Sequence, residues 1–521
     1  MPPVNLASMR RMLPWLAFSG LIFVLCLHWS WIDEPWDASF DGTNGGAYYG
    51  YAAQFYENRG FWATGGLPTL LWSDTDPDFL WPNVHHTLLP YAITYASFHF
   101  FGTDVGALRL PFLGFLIALV VFSFLAIPAG RWGPWRRAGV VLIIPSFPIV
   151  IHYLNMVEPT PMSAAAIAWV LWAWFRHDRK PRLSSGVHLF CASFLAGSLG
   201  WFSYGIFLGA SFELLFASNR RRSLLRVGTL VGLPLGLALL AQMGWLFWLS
   251  HHLAMDANLS SAFLKLFTRG DPRPELSVYL TGVGTFLWRG FGALPLCLML
   301  VGLAVALWRL WKQGREAVFE RIACFGFISG MFPNVAFPGH AAMHDFWSLP
   351  AVAGISCLVV IGIDFLAAGL AQALSRWSSQ AAVIKGMVAT AVTFSVVATG
   401  TVAGIDSHAS YATDVFQRRG DDINEIVGSK DLLLMPGPLS ADRFYTHAPI
   451  IPGVKDRESF DGARKEMAAL SQGIENVWIL YPRNLIDSAA WVRDLPRLEW
   501  RVIKWGGTNG VLVKLDPIAW R

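Results

Sequence analysis

Charged residues are scarce in this chain, and their scarcity excludes most classes of soluble protein. Asp, Glu, Lys and Arg make up 14% of the 521 residues, against about 25% in soluble globular domains. Hydrophobic residues make up 54%, and the mean hydropathy is +0.44. Such a chain would expose too much apolar surface in water, which excludes a disordered, collagen-like or ordinary cytosolic protein. We therefore predict a polytopic α-helical membrane protein.

Cysteine is also rare, and nucleotide-binding patterns are missing. The five cysteines lie in apolar runs without metal-ligand spacing, so we expect buried, small hydrophobic side chains and no disulfide framework. No phosphate-binding loop or Rossmann glycine pattern occurs, which disfavours a nucleotide-sugar donor. Residues 74–78 resemble the start of a calcium-binding loop, but His85 stands where that loop needs a glutamate. We give this calcium motif little weight.

Long apolar runs are what the chain has in quantity. A membrane span needs about 20 apolar residues, and about eleven runs approach that length. They cover 12–31, 105–128, 138–152, 160–176, 186–201, 203–218, 224–249, 291–311, 317–333, 346–368 and 384–404. A shorter apolar run, 88–101, is predicted to be a membrane-surface helix. An odd number of spans places the two termini on opposite sides.

The basic residues in the connecting segments predict the orientation. With the N-terminus inside, the inside segments carry nineteen Lys and Arg residues, and the longer outside segments before residue 405 carry six. Short cytoplasmic loops are enriched in Lys and Arg. We therefore predict a cytoplasmic (inner) membrane protein with its N-terminus inside and its C-terminus outside.

The composition changes near residue 405, where charged residues become frequent. Four β-rich runs follow, at 432–435, 477–481, 500–504 and 511–514, with helical patterns near 415–427 and 460–472. This alternation is typical of a small α/β domain. We predict two domains, a helical membrane domain over 1–404 and an extracytoplasmic α/β domain over 405–521.

The first predicted external loop, 32–104, is unusually acidic. It holds nine carboxylates and many aromatic residues, and Arg59 is its one basic residue. A loop of this length is often functional. It could be a solvated loop with an interfacial aromatic belt. Alternatively, its carboxylates could accept hydrogen bonds from sugar hydroxyls and serve as a general base, beside aromatic faces that pack on sugar rings.

Three segments of this part of the chain resemble motifs of one family. They are Phe40-Asp41-Gly42 with Ala47-Tyr48 and Asn58-Arg59-Gly60, then the run from Trp81 to Pro90, and then the run from Phe101 to Pro111. Together they are similar to the GT-C superfamily of membrane glycosyltransferases, within it to the protein O-mannosyltransferase and lipid A aminoarabinose transferase (ArnT-like) branch. The resemblance implies a GT-C-like fold and transfer of a hexosyl or pentosyl group from a polyprenyl-phosphate carrier to a glycan, lipid or protein acceptor.

The resemblance also implies roles for two acidic residues. Asp41 corresponds to the first-loop carboxylate that acts on the acceptor. Because Gly42 follows it where the family often has a second acid, the choice between Asp37 and Asp41 as the reactive carboxylate stays open. Glu158 occupies the second acidic position of the family. It also precedes Pro159, so it could simply interact with the start of a helix.

The leaving phosphate needs positive charge or hydrogen-bond donors close to it. Candidates on the predicted outer face are His85, His86, Arg109, Arg289 and His344. Of these, His344 matches a basic residue of the family's late external loop, and His85 and His86 compete for one family position. His340 and His344 are four residues apart and offer a weak metal-binding pattern. Glu213, inside a predicted span, is either a functional group or a buried contact between helices.

The sequence establishes no cofactor. It leaves open whether Asp41 and Glu158 hold a divalent cation, Mg²⁺ or Mn²⁺. The predicted partners are the bilayer, the polyprenyl-phosphate sugar and its acceptor, and no nucleic acid. The main alternative is a transporter or flippase of lipid-linked sugars, but matching repeated halves are not evident in the sequence. A non-enzymatic membrane scaffold is a second alternative, and it would have no need of the acidic, aromatic loop.

Overall fold

A computed structural model describes residues 6–39, 45–72, 80–82, 86–128, 133–153, 155–252, 274–374, 381–436, 440–470, 474–482, 490–505 and 508–517. The chain divides into two compact units. The membrane unit comprises Met1–Trp31, His85–Pro90 and Leu110–Ser410. The sheet unit comprises Ile32–Val84, Tyr91–Arg109 and Tyr411–Arg521. The residues of the first predicted external loop thus belong mainly to the same unit as the C-terminal segment.

Every predicted apolar run lies on a helical segment. The α-helices that match them are Leu6–Ser30, Val105–Ala126, Gly133–Ile143 with Pro148–Tyr153, Pro159–Arg179, Leu183–Leu199, Ile206–Phe212, Arg220–Val227 with Leu233–His252, Ala293–Gln313, Val318–Ala336, Val352–Leu374 and Ala381–Tyr411. Among the described residues, five helical stretches are long and apolar enough to cross a membrane, and shorter apolar helices accompany them. The prediction of a polytopic, multi-pass membrane protein is confirmed.

Two of the expectations for the helical part were wrong in detail. The run 138–152 is not one helix, because a 3₁₀ turn at Ile144–Ser146 separates Gly133–Ile143 from Pro148–Tyr153. Pro145 and Pro148 lie at this break, and proline has no N–H to donate to a helix. The helix Leu276–Phe291 was not predicted, because nearly all of it falls in the outside segment between the predicted spans 224–249 and 291–311. With only 16 residues, it is shorter than the run that a span requires.

Several irregular turns interrupt or connect the helices. They comprise the 3₁₀ segments Trp201–Gly205, Glu213–Phe216, Gly314–Glu316 and Asp345–Ala351, the π-helical segment Gly228–Gly232 and the short helix Pro338–Ala341. The π-helical segment joins Arg220–Val227 to Leu233–His252, so the predicted span 224–249 is continuously helical with a local change of winding.

Glycine allows two long helices to touch backbone to backbone. A Cβ atom added to Gly302, on Ala293–Gln313, would lie 1.9 Å from the carbonyl oxygen of Leu358, on Val352–Leu374. A Cβ atom on Gly362 would lie 2.2 Å from the carbonyl oxygen of Leu298. Membrane helices associate through such small residues because lipid offers little hydrophobic driving force between them. These two helices must therefore separate if either glycine gains a side chain.

We expect Gly302→Ala to destabilise the protein by about 1–3 kcal/mol, the usual cost of overpacking a tight contact. Thermal unfolding in detergent, followed by tryptophan fluorescence, measures the change. Gly369→Ala is the matched control, because Gly369 lies on Val352–Leu374 with open space around the added Cβ. Alanine favours helix over glycine, so the control should keep or raise the unfolding temperature. Equal behaviour of the two variants would contradict the packing argument.

The sheet unit contains two β-sheets. Strands β1 (Thr69–Trp72) and β2 (Leu80–Pro82) form an antiparallel pair. The second sheet has β3 (Leu432–Met435), β4 (Ile450–Pro452), β5 (Val477–Pro482), β6 (Arg497–Trp505) and β7 (Thr508–Leu515) in the order β4-β3-β5-β7-β6. Strand β3 runs parallel to β4 and β5, whereas β7 runs antiparallel to β5 and β6. The four predicted strands are confirmed, and β4, which is three residues long, was missed.

Helices cover both faces of this sheet. The helices of the unit include Gly46–Arg59, Val415–Asn424, Ser440–Tyr445, Arg457–Leu470 and Ala490–Arg493, and Leu88–Phe101 continues into it. All four residues of β3 are buried. Leu432 and Leu434 belong to one hydrophobic cluster and Leu433 and Met435 to another, as alternation along a strand requires. The small α/β fold predicted for this part of the chain is therefore present.

All five cysteines are free, as predicted. The expectation that all are buried was wrong, because Cys26, Cys191 and Cys297 are exposed, and only Cys324 and Cys357 are buried. The three exposed cysteines lie on helices of the membrane unit. In a membrane protein, apolar side chains on the outside of such helices face lipid rather than water.

Candidate active site

The motif helix of the first loop, Gly46–Arg59, is buried along most of its length. Every residue from Gly46 to Ala53 is buried, as are Phe55 and Tyr56. A Cβ atom on Gly50 would lie 2.8 Å from Cδ2 of Phe444, so this helix and the helix Ser440–Tyr445 touch closely. Gln54 Nε2 also donates a hydrogen bond to the Phe444 carbonyl at 3.1 Å. The first loop and the C-terminal segment therefore fold together within the sheet unit.

The segment that carries Asp37 is held in place on both sides. The Trp36 N–H donates to the Tyr445 hydroxyl at 3.1 Å, and the Ala38 N–H donates to the Tyr411 carbonyl at 2.9 Å. Asp37 is itself buried. Its Oδ1 accepts hydrogen bonds from the Ser39 N–H, at 2.8 Å, and from the Ser39 hydroxyl. Asp41 lies outside the described residues, so Asp37 is the candidate carboxylate of this loop whose surroundings are known.

Arg109 supports the same segment. Its Nη1 donates to the carbonyl oxygen of Glu34 at 2.7 Å and to that of Ile32 at 3.4 Å. The guanidinium lies 5.1 Å from the centre of the Trp36 ring, within the range of a cation–π contact. Arg109 is buried. These contacts give it a positioning role for the chain that leads to Asp37, and its contact with a donor phosphate stays a prediction.

Glu158 begins the helix Pro159–Arg179 in the membrane unit. Its Oε2 accepts hydrogen bonds from the Thr160 N–H, at 2.8 Å, and from the Thr160 hydroxyl, so it is the N-cap of the helix. The carboxyl is buried, and this burial raises its pKa to about 7, against the opposing effect of the two hydrogen bonds. The expected interaction with the helix start is confirmed. A pKa near neutrality also suits a group that exchanges protons during catalysis.

We expect Glu158→Gln to remove a pH-dependent part of the stability. The folded pKa of about 7 lies above the ordinary value of 4.5, so the contribution of Glu158 is fully present below about pH 4.5 and is lost as the pH rises through 7. Glutamine stays neutral and keeps an acceptor oxygen. The free energy of unfolding of the variant relative to wild type should therefore rise between pH 5 and pH 8, by at most about 3 kcal/mol. A difference that does not change with pH would contradict this.

The loop before Glu158 joins a group of aromatic and histidine side chains in the membrane unit. The Tyr153 ring lies 5.8 Å from Phe346, and the His152 ring lies 6.1 Å from His408. His408 in turn stacks on Trp31 at 3.8 Å. The sequence analysis assigned no role to His152, Tyr153 or His408. His152 and Tyr153 lie within six residues of Glu158 in the sequence, so they could have been included in the candidate site. His408 contacts His152 only because of the fold.

His344 belongs to the same unit and is half-buried. Its ring lies 5.5 Å from Phe346, 5.7 Å from His340 and 6.1 Å from Trp347. Phe346 is thus the residue that connects His344 with Tyr153 of the Glu158 loop. The His340 and His344 rings are nearly parallel, as in an aromatic stack. His344 and Tyr153, which precedes Glu158 by five residues, thus both contact the Phe346 ring.

The other predicted phosphate ligands have different surroundings. His86 is half-buried, and its carbonyl accepts from Gln242 Nε2 at 3.3 Å while Gln242 Oε1 accepts from the Leu88 N–H at 3.2 Å. Gln242 therefore holds the start of the helix Leu88–Phe101. Arg289 is exposed on Leu276–Phe291, the helix that the sequence analysis missed. His85 and the calcium-like segment Asp74–Asp78 lie outside the described residues.

Two neighbouring cavities in the sheet unit have polar and aromatic linings. Their volumes are about 390 and 640 Å³. Gln54, Thr103, Phe444 and His447 line both of them. Further lining residues include the acids Asp33, Glu57, Asp104, Asp421 and Glu425 and the aromatics Tyr51 and Tyr445. Amide, hydroxyl and carboxylate groups beside aromatic rings can hydrogen-bond sugar hydroxyls and cover an apolar sugar face.

Comparison with known proteins gives structural matches only. No protein-family model matches the sequence, and no curated protein matches it. Among solved structures, ArnT from Cupriavidus metallidurans bound to undecaprenyl phosphate has a TM-score of 0.62 at 14% identity, over 98% of this chain and 99% of that one. The apo state of the same protein gives 0.62 at 13% identity, over 96% and 97% of the two chains.

A more distant structure has the same fold over most of this chain. The archaeal oligosaccharyltransferase AglB from Archaeoglobus fulgidus, in complex with an inhibitory peptide and a dolichol-phosphate, has a TM-score of 0.57 at 13% identity, over 96% of this chain and 74% of that one. The ArnT match extends from the membrane helices to the C-terminal segment. Over nearly its whole length, this chain therefore has the fold seen in the ArnT structures.

Proposed function

We propose that this protein transfers a hexosyl or pentosyl group from a polyprenyl-phosphate carrier to an acceptor at the outer face of the cytoplasmic membrane. The observation that carries the proposal is the placement of Glu158, a carboxyl buried at the start of the helix Pro159–Arg179. It lies in the loop where GT-C transferases have their second acidic residue, in a chain with the fold of ArnT. Because one fold hosts many functions, the fold likeness alone does not carry it.

The donor side of the proposal follows from the location. ATP and nucleotide sugars are confined to the cytosol, so a reaction at the outer face needs a donor that arrives already activated. A polyprenyl-phosphate sugar meets this need and partitions into the bilayer beside the helices. The ArnT and AglB structures contain undecaprenyl phosphate and dolichol-phosphate, respectively, which supports a carrier of this class.

The proposed reaction is a single displacement with inversion. An acceptor hydroxyl or amine attacks the anomeric carbon, the bond from that carbon to the phosphate oxygen breaks, and polyprenyl phosphate leaves with the electron pair. The acceptor proton passes to a first-loop carboxylate, Asp41 or Asp37. Glu158 supports the geometry around it. His85, His86, Arg109, Arg289 and His344 are the candidate groups for the phosphate, whose negative charge grows in the transition state.

The acceptor is proposed to dock on the sheet unit. The two cavities beside Gln54 and Phe444 supply hydrogen-bonding groups and aromatic rings at the motif helix of the first loop. Acceptors that fit this chemistry are a glycan, a glycolipid or a glycosylated protein. A divalent cation, Mg²⁺ or Mn²⁺, held by Asp41 and Glu158 remains a second possibility for neutralising the phosphate. Loss of transfer in EDTA and its recovery with Mg²⁺ would establish it.

Reconstitution with a synthetic carrier tests the proposal. Purified protein in liposomes is incubated with polyprenyl-phosphate sugars and with membrane glycolipid extract, and products are identified by mass spectrometry. The proposal expects formation of a glycosylated acceptor together with free polyprenyl phosphate in equal amounts. Binding of undecaprenyl phosphate to the purified protein, measured separately by native mass spectrometry, checks the donor class even where the acceptor is lacking.

The transporter alternative makes the opposite prediction in the same vesicles. A flippase would move a fluorescent polyprenyl-phosphate sugar between leaflets without changing it chemically. Flipping without any released polyprenyl phosphate would overturn the transferase proposal. Carrier binding without either activity would favour a non-enzymatic role.

A further inference from the structure

A third cavity lies in the membrane unit, and none of the candidate catalytic or phosphate-binding residues is among its lining residues. Its volume is about 400 Å³. Its charged lining residues are Asp178, Glu213, Arg222, Arg226, Arg315 and Arg321, with His177 beside them. Its arginines lie in the segments 219–226 and 309–321, which the distribution of basic residues predicts to be cytoplasmic. None of these groups has a part in the proposed transfer.

The ion pairs around this cavity leave positive charge in excess. Asp178 accepts from three guanidinium groups, Arg226 at 2.9 Å, Arg321 at 3.1 Å and Arg315 at 3.2 Å. Arg321 also pairs with Glu213, the predicted intramembrane acid, which is therefore a buried contact between helices. Two carboxylates thus face four guanidinium groups, counting Arg222. Positive charge that is partly removed from water is stabilised by a nearby anion.

Two of these arginines have donors to spare. Arg226 uses Nη1 for Asp178, while its Nε is buried and has no hydrogen-bond partner among the described residues. Arg222 is exposed at the cavity, and no described residue pairs with its side chain. Guanidinium groups present several N–H donors in a plane and bind phosphate oxygens well. Arg222 thus offers the cavity unused donors of the type that phosphate prefers.

Apolar side chains line part of the cavity, and exposed leucines lie next to them in the sequence. Leu225 and Phe216 line it, and Leu215, Leu224 and Leu225 are exposed large hydrophobic residues. The helix Arg220–Val227 therefore mixes arginines with exposed leucines, as helices at a membrane–water boundary do. A soluble phosphate would gain nothing from these leucines, whereas acyl chains would cover them.

We propose that this cavity binds the phosphate headgroup of an anionic phospholipid, with the acyl chains lying against Phe216 and Leu225. Basic pockets between membrane helices are known to bind such headgroups. The lipid would be a bilayer component and not the sugar donor, so the proposal is independent of the transfer reaction. The phosphate of the bound lipid then neutralises part of the excess positive charge of these arginines.

Native mass spectrometry of the detergent-purified protein tests the proposal, with phosphatidylglycerol and phosphatidylcholine as probes. We expect phosphatidylglycerol to bind more tightly, and Arg222→Gln to weaken that binding about tenfold, the effect of one charge-assisted hydrogen bond. Arg221→Gln is the matched control, since it removes the same charge from the adjacent residue, which does not line the cavity. Both variants should unfold at the wild-type temperature.

Four outcomes would overturn the proposal. Equal affinity for the two lipids would show that the cavity has no preference for an anionic headgroup. Equal weakening by the two substitutions would show general attraction to a basic surface. Binding of sn-glycerol 3-phosphate as tight as that of phosphatidylglycerol would assign the site to a soluble phosphate. Displacement of phosphatidylglycerol by undecaprenyl phosphate at lower concentration would mark the cavity as a carrier site instead.

Discussion

Replacing Asp41 by asparagine should slow sugar transfer by about 10²- to 10⁴-fold, the usual contribution of a general base. Asparagine has nearly the same shape but cannot take up the acceptor proton. The loss should appear in the rate of the transfer step, measured in a single turnover with saturating polyprenyl-phosphate sugar. Binding of undecaprenyl phosphate should change little, because the base acts on the acceptor. This result rests on the proposed function.

Asp37→Asn is the comparison that decides between the two carboxylates of the first loop. Asp37 uses Oδ1 to accept hydrogen bonds from the N–H and hydroxyl of Ser39, and asparagine keeps an acceptor oxygen for them. The variant therefore tests the charge of Asp37 with its local structure retained. A large loss in Asp37→Asn with normal transfer in Asp41→Asn would assign the base to Asp37. Normal transfer in both would remove the first-loop carboxylates from the mechanism.

Replacing Arg321 by methionine should destabilise the membrane unit by about 3–5 kcal/mol, the cost of breaking a buried ion pair from one side. Both Arg321 and Glu213 are buried. The Arg321 Nε–H is shared between the two Glu213 carboxylate oxygens, at 3.0 and 3.2 Å, and Arg321 Nη2 also donates to Glu213 Oε2. Without Arg321, Glu213 keeps the indole N–H of Trp174 at 3.4 Å but loses its counter-charge. Chemical unfolding followed by the fluorescence of the 25 tryptophans measures the change.

A double variant and a single control separate this effect from simple loss of volume. Arg321→Met combined with Glu213→Leu removes both charges, so it should recover most of the lost stability. Arg315→Met removes another guanidinium that contacts Asp178, but this side chain is half exposed, so the change should stay within about 1 kcal/mol. A double variant as unstable as Arg321→Met would show that the packing of the arginine, not its charge, matters.

The fold changes how the C-terminal segment is understood. The sequence predicts an extracytoplasmic α/β domain over 405–521, after the last span. In the structure, Phe444 and Tyr445 contact the first-loop residues Gly50, Gln54 and Trp36. The segment thus helps to shape the loop that carries the candidate base. A substitution in 440–445 can therefore alter the acidic loop although some 400 residues separate the two in sequence.

Much of this protein's organisation is determined by its amino-acid sequence alone. Apolar runs determine the membrane helices because burial of a helix in lipid needs only about 20 apolar residues in succession. Alternating β-rich runs likewise predicted β3, β5, β6 and β7. The three segments between Phe40 and Pro111 resembled motifs of the GT-C superfamily, and Pro159 after Glu158 already indicated an interaction of this carboxylate with the start of a helix, which the structure contains.

Only the tertiary structure decided which distant residues meet. The contacts of Arg109 with the Glu34 carbonyl, of Tyr153 with Phe346, and of Asp178 with three arginines join residues between 48 and 193 positions apart. No local pattern encodes such pairs, because they depend on how whole helices pack. The pKa of Glu158 belongs to the same class, since it is raised by burial among side chains from other helices. Local patterns determine the elements, and packing determines the chemistry of the groups placed between them.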